Sequence, residues 1–296
     1  MFHKKQEIQG HAGAIYTCTC DHEYIYSGSA DKFVTRWNLN DGTQDPFAIK
    51  FEQSVYALEI CERLLFVGLS DGSMHVFDLD KRVELKYFTQ HTKAIFSIKY
   101  NPLKGQVYVG DADGNLSVWN RETLELMIYL PLDAGKIRNF AISPNGERFA
   151  LSGQDGAIRL FEAEYFNEIA TIDAHKGGAT AVLFHPKNDG LLISGGKDAY
   201  LKLWSLEKNE LLVEIPAHNF SIYGLVALNN GNHLASISRD KTIKIWKTED
   251  LDFIQRLDFK VGGHRHSVND IVKLDDVTFV TCGDDKRLIV WEKKES

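Results

Sequence analysis

Ser27-Gly28-Ser29-Ala30-Asp31-Lys32-Phe33-Val34-Thr35-Arg36-Trp37 is the stretch that decides the fold. Two short β-prone segments, Tyr24–Ser29 and Phe33–Trp37, flank an aspartate, so the stretch reads as strand, tight turn and strand. The pattern returns along the whole chain. An aromatic residue stands at Trp37, Phe77, Trp119, Phe161, Trp204, Trp246 and Trp291, at intervals of 40, 42, 42, 43, 42 and 45 residues. Six residues before each stands an aspartate: Asp31, Asp71, Asp113, Asp155, Asp198, Asp240 and Asp285. An offset that does not vary over seven units marks a structural repeat of about 40 residues.

Working outward, each unit has a strand before its aspartate, as at Leu64–Ser70, Leu191–Gly195 and Val277–Cys282, with Gly72, Gly114 and Gly156 suited to the turn. Upstream of that strand, apolar residues are spaced by three and then two: Ile15/Cys18/Cys20, Val55/Leu58/Ile60, Ile95/Ile98/Tyr100, Ile137/Phe140/Ile142 and Ala179/Val182/Phe184. A step of three in a period-two strand implies one extra residue, a β-bulge. Further strands follow the aromatic at Phe47–Phe51, Val83–Phe88, Leu126–Leu130, Glu168–Ile172, Leu211–Ile215 and Phe253–Phe259. Only five residues follow Trp291, so the seventh unit lacks its outer strand, while Phe2–Gln9 is a spare one at the other end. Pairing the two removes an open sheet edge. The expectation is an all-β, seven-bladed β-propeller of four-stranded antiparallel blades, with residues 1–296 as one domain and residues 2–9 as the outer strand of blade seven.

Gly10-His11, Ser27-Gly28-Ser29 and Asp31 to Trp37 resemble the WD-repeat signature, and the resemblance covers nearly the whole chain. It implies buried sets in which indole, hydroxyl, imidazole and carboxylate satisfy one another. Four units carry all members: His11/Ser27/Asp31/Trp37, His175/Ser194/Asp198/Trp204, His218/Ser236/Asp240/Trp246 and His264/Thr281/Asp285/Trp291. In isolation these imitate Ser-His-Asp triads. A nucleophile, however, needs an exposed hydroxyl and an oxyanion hole, and four copies of one set suit blade stability better than four active sites. Unit three keeps His91, Asp113 and Trp119 but has Val109 at the hydroxyl position. Units two and four lack the histidine and carry Phe77 and Phe161, which need no acceptor.

Composition excludes several classes of function. Hydrophobic residues make up 44% and charged residues 25%, an ordinary globular balance. The net charge of −7, from 41 acidic and 34 basic residues, argues against binding nucleic acid or a membrane and favours cationic partners. Cys18, Cys20, Cys61 and Cys282 form no CxxC pair, so neither a disulfide framework, a metal site nor a cofactor is expected. Asp111-Ala112-Asp113-Gly114-Asn115 lacks the closing glutamate of a calcium loop. Gly177-Gly178 and Gly195-Gly196 lack the context of a phosphate loop and read as turn glycines. The start of the chain carries no apolar stretch of the signal-peptide kind, and a cytoplasmic location is expected.

In a propeller the inner strands surround a channel, and the residue after each bulge-starting apolar position should face its mouth. These are Tyr16, Tyr56, Phe96, Arg138, Thr180, Tyr223 and Asn269, four of them aromatic where a content of 11% would give about one. Residues two positions earlier are mostly small: Ala14, Ser54, Ala94, Gly178, Ser221 and Ser267, with Lys136 the exception. The expected function is a non-catalytic scaffold that binds other proteins or peptides at this ring, engaging a basic residue of the partner by cation–π attraction. Mutual packing of the rings to close the channel is the competing expectation, and an enzyme or small-ligand binder using the channel is the alternative function.

Overall fold

The computed structural model of the chain describes residues 1–294. Its 28 strands form seven four-stranded antiparallel sheets, and one three-residue 3-10 turn at Phe259–Val261 is the only helical element among the described residues. Six sheets are built from strands consecutive in sequence. The seventh runs Val268–Lys273, Thr278–Gly283, Arg287–Lys293 and then Phe2–Gln9, so the two ends of the chain share one sheet as expected. Phe2 is buried edge-on against Phe279, and Gln255 of blade six brackets its backbone, accepting from Phe2 N at 2.8 Å and donating to Phe2 O at 2.7 Å. Closure thus rests on a buried side chain and a bracketed backbone as well as on the strand ladder.

The inner strands begin at Ile15, Val55, Ile95, Ile137, Ala179, Ile222 and Val268. Each of these residues is buried. In every blade the pairing with the second strand skips the next residue, as in Ile15↔Ser29 followed by Thr17↔Gly28, so the bulge occurs seven times where the sequence spacing predicts it. Apolar side chains gather into seven clusters, each joining two neighbouring blades; one combines Tyr26 and Val34 with Val55, Leu58 and Leu65. The core is therefore a ring of seven interfaces between sheets rather than a central mass.

Two local expectations are corrected. Gly195 and Gly196 end the strand Leu191–Gly196 instead of forming a turn. A Cβ at Gly195 would stand 2.7 Å from Ile222 Cγ2 of the next blade, and one at Gly196 would overlap the His175 ring, so both are glycine for lack of room. Gly28, Gly68 and Gly110 meet Val55, Ile95 and Ile137 of the following blade in the same way. The outer strand of blade six stops at Leu257, because Asp258 caps the 3-10 turn by accepting from Lys260 N and diverts the backbone.

Candidate functional site

The bulge decides what the inner strand presents. The skipped residue has no partner in the ladder, and its side chain is turned away from the blade interface. In the seven blades it is Tyr16, Tyr56, Phe96, Arg138, Thr180, Tyr223 and Asn269, and all seven line one cavity of about 730 Å3 along the propeller axis. The expected ring is therefore brought together at one mouth.

Its members are not equivalent. Tyr16 meets Tyr56 edge-on at 5.0 Å between centroids, and Tyr56 stacks on Phe96 at 5.2 Å with an interplanar angle of 12°. The guanidinium of Arg138 lies over the Phe96 ring at 4.5 Å, and Lys136 Nζ stands 5.1 Å from the same centroid. Three aromatic rings and one guanidinium thus form a continuous arc over blades one to four. Thr180 is buried, and its hydroxyl shares one proton between the carbonyls of Gly195 and Ile222, so although it lines the cavity its polar group is tied into blade packing. Asn269 donates to Ile15 O at 2.9 Å and Asp284 Oδ1 at 2.8 Å. A partner's basic side chain would find the face of Phe96 already covered by this chain's own cations.

Below the mouth lie groups that the ring pattern does not reveal. Glu59 Oε1 accepts from Lys99 Nζ at 2.9 Å and from Tyr100 N at 3.1 Å in the next blade. Asn139 Oδ1 accepts from Val182 N, again one blade onward, at 3.1 Å. Asp270 Oδ2 accepts from Cys18 N at 3.0 Å across the closure between blades seven and one. These side chains bolt neighbouring inner strands together inside the channel. Burial pushes the Asp270 carboxyl up to about 6, against the opposing hydrogen bonds from the backbone of Cys18 and Ile271. The signal that could have found them was an acidic or amide residue between the apolar positions of an inner strand, as at Glu59, Asn139 and Asp270.

The His/Ser/Asp sets occupy five blades, and none of their members lines the channel cavity. In blade five, Trp204 Nε1 donates to Ser194 Oγ at 2.8 Å, that hydroxyl bonds His175 Nε2 at 2.8 Å, and His175 Nδ1 meets Asp198 at 2.9 Å. Blade one repeats the chain: Ser27 Oγ lies 2.7 Å from both Trp37 Nε1 and His11 Nε2, and His11 Nδ1 meets Asp31 at 2.8 Å. In blade six, Ser236 Oγ accepts from Trp246 Nε1 at 2.8 Å and bonds His218 Nε2 at 2.8 Å, while His218 Nδ1 meets Asp240 at 3.0 Å. In blade seven the hydroxyl belongs to a threonine: Thr281 Oγ1 accepts from Trp291 Nε1 at 2.9 Å and bonds His264 Nε2 at 2.9 Å, and His264 Nδ1 meets Asp285 at 2.9 Å.

The burial of these hydroxyls settles the resemblance to catalytic triads. Ser236 and Thr281, like Ser27 and Ser194, are 0% exposed, so no substrate or partner reaches them. Ser236 and Thr281 therefore belong to the blade interior and not to a binding surface, and each hydroxyl is already used by both indole and imidazole. Despite the cost of burial, bonds from the histidine hold Asp240 and Asp285 well below the ordinary carboxylate range. Burial lowers His11 and His218.

Blade three departs from the reading that assigned it Asp113 and no hydroxyl. His91 Nδ1 pairs with Asp111 at 2.8 Å, its Nε2 meets Ser117 Oγ at 2.7 Å, and Trp119 Nε1 donates to Ser117 Oγ at 2.8 Å. Val109 and Ser117 are cross-strand partners, so the hydroxyl has moved to the facing strand and fills the same space. Asp111 takes over the carboxylate role of Asp113 and also accepts from the backbone of Asp113 and Asn115.

The WD domain, G-beta repeat model matches residues 2–38, 82–120, 166–205, 209–247 and 255–292. Those five segments contain the indole of each of the five blades that carry a buried indole–hydroxyl–imidazole set; the inner three strands of blades two and four, with Phe77 and Phe161, fall outside them. Among similar proteins, the U3 small nucleolar RNA-associated protein 15 homolog of Gallus gallus is 29% identical over 188 residues, 63% of this chain and 36% of that protein. The kinesin-like protein KIF21A of Homo sapiens is 25% identical over 256 residues, 84% of this chain and 14% of the relative. The DDB1- and CUL4-associated factor 13 of Xenopus tropicalis is 28% identical over 136 residues, 43% of this chain and 29% of the relative. The chain thus spans little more than a third of the length of the first of these relatives. The expected cytoplasmic location is overturned by the same comparison, in which relatives from Gallus gallus and two Xenopus species are named for association with the U3 small nucleolar RNA. With seven blades of one geometry and the repeat model matched over more than half its residues, the chain belongs to the WD domain, G-beta repeat family.

Proposed function

We propose that the chain is a non-catalytic scaffold whose residues 1–296 work as one unit and which seats a peptide segment of a partner protein on the channel mouth. The observation that carries this is the convergence of all seven bulge residues on one cavity, with Tyr16, Tyr56, Phe96 and Tyr223 only partly buried. Aromatic rings that remain accessible beside polar groups are suited to protein contacts. The names of the U3-associated relatives support a setting in an RNA-associated assembly, in which this propeller supplies protein contacts. A channel enzyme would need acid–base groups free to react, whereas Glu59, Lys99 and Asp270 are engaged in holding blades together.

The test is affinity capture from native lysate, with and without ribonuclease, comparing the wild type with the Tyr16→Ala/Tyr56→Ala/Phe96→Ala variant at matched melting temperature. Proteins lost only with the variant, and retained after ribonuclease, support the mouth. An identical captured set with both proteins moves the binding surface elsewhere on the propeller.

A further inference from the structure

One charge at the mouth is left unanswered by the fold. Six arginines are buried or half-buried, Arg36 and Arg287 fully and Arg121, Arg138, Arg148 and Arg159 in part. Five of them stand at ion-pair distance from a carboxylate: Arg36 with Asp45, Arg121 with Glu62, Arg148 with Asp189, Arg159 with Asp155, and Arg287 with Asp285. Arg138 is the sixth, and it has no such partner among the described residues. Withdrawing a guanidinium from water without a counter-charge is unfavourable, so a fold that pairs the others and leaves this one at an open mouth has reserved its donors.

The surroundings sharpen the reading. Lys136 lies two residues earlier, in the loop that leads into the same inner strand, and Lys197 lies on the neighbouring blade, its stem 3.2 Å from the space a Cβ on Gly178 would take. Burial, together with repulsion from Arg138 and Lys197, lowers Lys136; burial lowers Arg138, with Tyr223 and Tyr56 opposing. Two cations thus stand at the Phe96 ring, with Lys197 close enough to Lys136 to repel it. The contact of the guanidinium carbon with the Phe96 ring consumes none of its N–H donors, which remain for a bidentate acceptor.

We propose that Arg138, flanked by Lys136 and Lys197, receives a carboxylate side chain of an acidic peptide segment at the channel mouth, with the Tyr56 and Phe96 rings packing beside it. This rests on the mouth being the binding surface, and it reverses the charge first expected of the partner. A protein segment fits better than nucleic acid: Asp284 sits on blade seven across the ring, and the chain carries a net charge of −7, so a long polyanion is repelled outside these cations.

The test is an array of random decapeptides probed with the full chain, alongside a phosphoserine-containing array and a 20-nucleotide single-stranded RNA. The expected result is enrichment of Asp or Glu among bound peptides, with binding weakened ~10-fold or more by Arg138→Gln, less by Lys197→Gln, and by added salt. Melting curves accompany each variant, and the exposed Lys197→Gln and the salt series on wild type keep the test decisive if Arg138→Gln unfolds. Enrichment of Arg or Lys, lost in the triple aromatic variant, overturns the anion site but keeps the mouth. Binding only of phosphopeptides or RNA overturns the carboxylate assignment. No peptide bound, combined with an unchanged capture by the aromatic variant, overturns both.

Discussion

Replacing Ser117 by alanine tests whether the displaced hydroxyl of blade three does the work of the family serine. Ser117 Oγ is buried and serves two partners at once, Trp119 Nε1 at 2.8 Å and His91 Nε2 at 2.7 Å. Its removal strands an indole N–H and an imidazole nitrogen inside the blade. At ~1–3 kcal/mol for each of the two unsatisfied buried groups, the loss should be ~2–6 kcal/mol, a large share of a typical folding stability. Val109 faces Ser117 across the strand pair, in the register that Ser27 and Thr35 occupy in blade one, where both hydroxyls reach His11. Introducing Val109→Ser into Ser117→Ala should therefore restore much of the loss, although Val109→Ser alone destabilises by exchanging buried apolar surface for a hydroxyl. Urea denaturation of the wild type, both single variants and the double variant closes the cycle. A loss below about 1 kcal/mol in Ser117→Ala, or additive losses in the double variant, would refute the shared-site reasoning.

Three further expectations follow from the same physics. Asp270, pushed up to about 6 by burial, holds more protons in the folded than in the unfolded chain between about pH 4 and 6. Its ionisation therefore costs stability as pH rises through that window, and Asp270→Asn should match wild type near pH 4 but gain ~1–3 kcal/mol by pH 7; a difference that does not widen with pH contradicts this. Asp240 is held low, so its stabilisation is complete above the unfolded value of ~3.9 and is lost as pH falls below it, while neutral His218 adds a loss beginning near ~6.5. Asp240→Asn should then lower the melting temperature at pH 7 and flatten its fall below pH 4, as calorimetry across that range would show. Gly195→Val should force a side chain against Ile222 and destabilise by ~1–3 kcal/mol or more, whereas a true turn glycine without close neighbours would tolerate it far better; equal melting would restore the turn reading.

Blade count, strand order, the bulges and the closing strand Phe2–Gln9 were legible from the sequence because each is set by local pattern. Period-two alternation, an aspartate at a constant offset and an extra residue in the inner strand act over a few neighbours, and seven repeats made the pattern unmistakable. The membership of the mouth ring followed, since a bulge displaces one identifiable side chain wherever it occurs. Closer contacts were not legible. Ser117 replaces the hydroxyl missing at Val109 because the facing strand reaches the same space, and Asp111 replaces Asp113 because the turn backbone carries it to His91; both depend on positions in three dimensions that offsets along the chain do not encode. Gly195 and Gly196 looked like turn residues because glycine in sequence says only that a side chain is absent, and the neighbours that exclude one come from the next blade and from His175. The arrangement at the mouth was likewise beyond composition: a net charge of −7 describes the whole surface, while tertiary structure alone put Arg138 on Phe96 with Lys136 beside it.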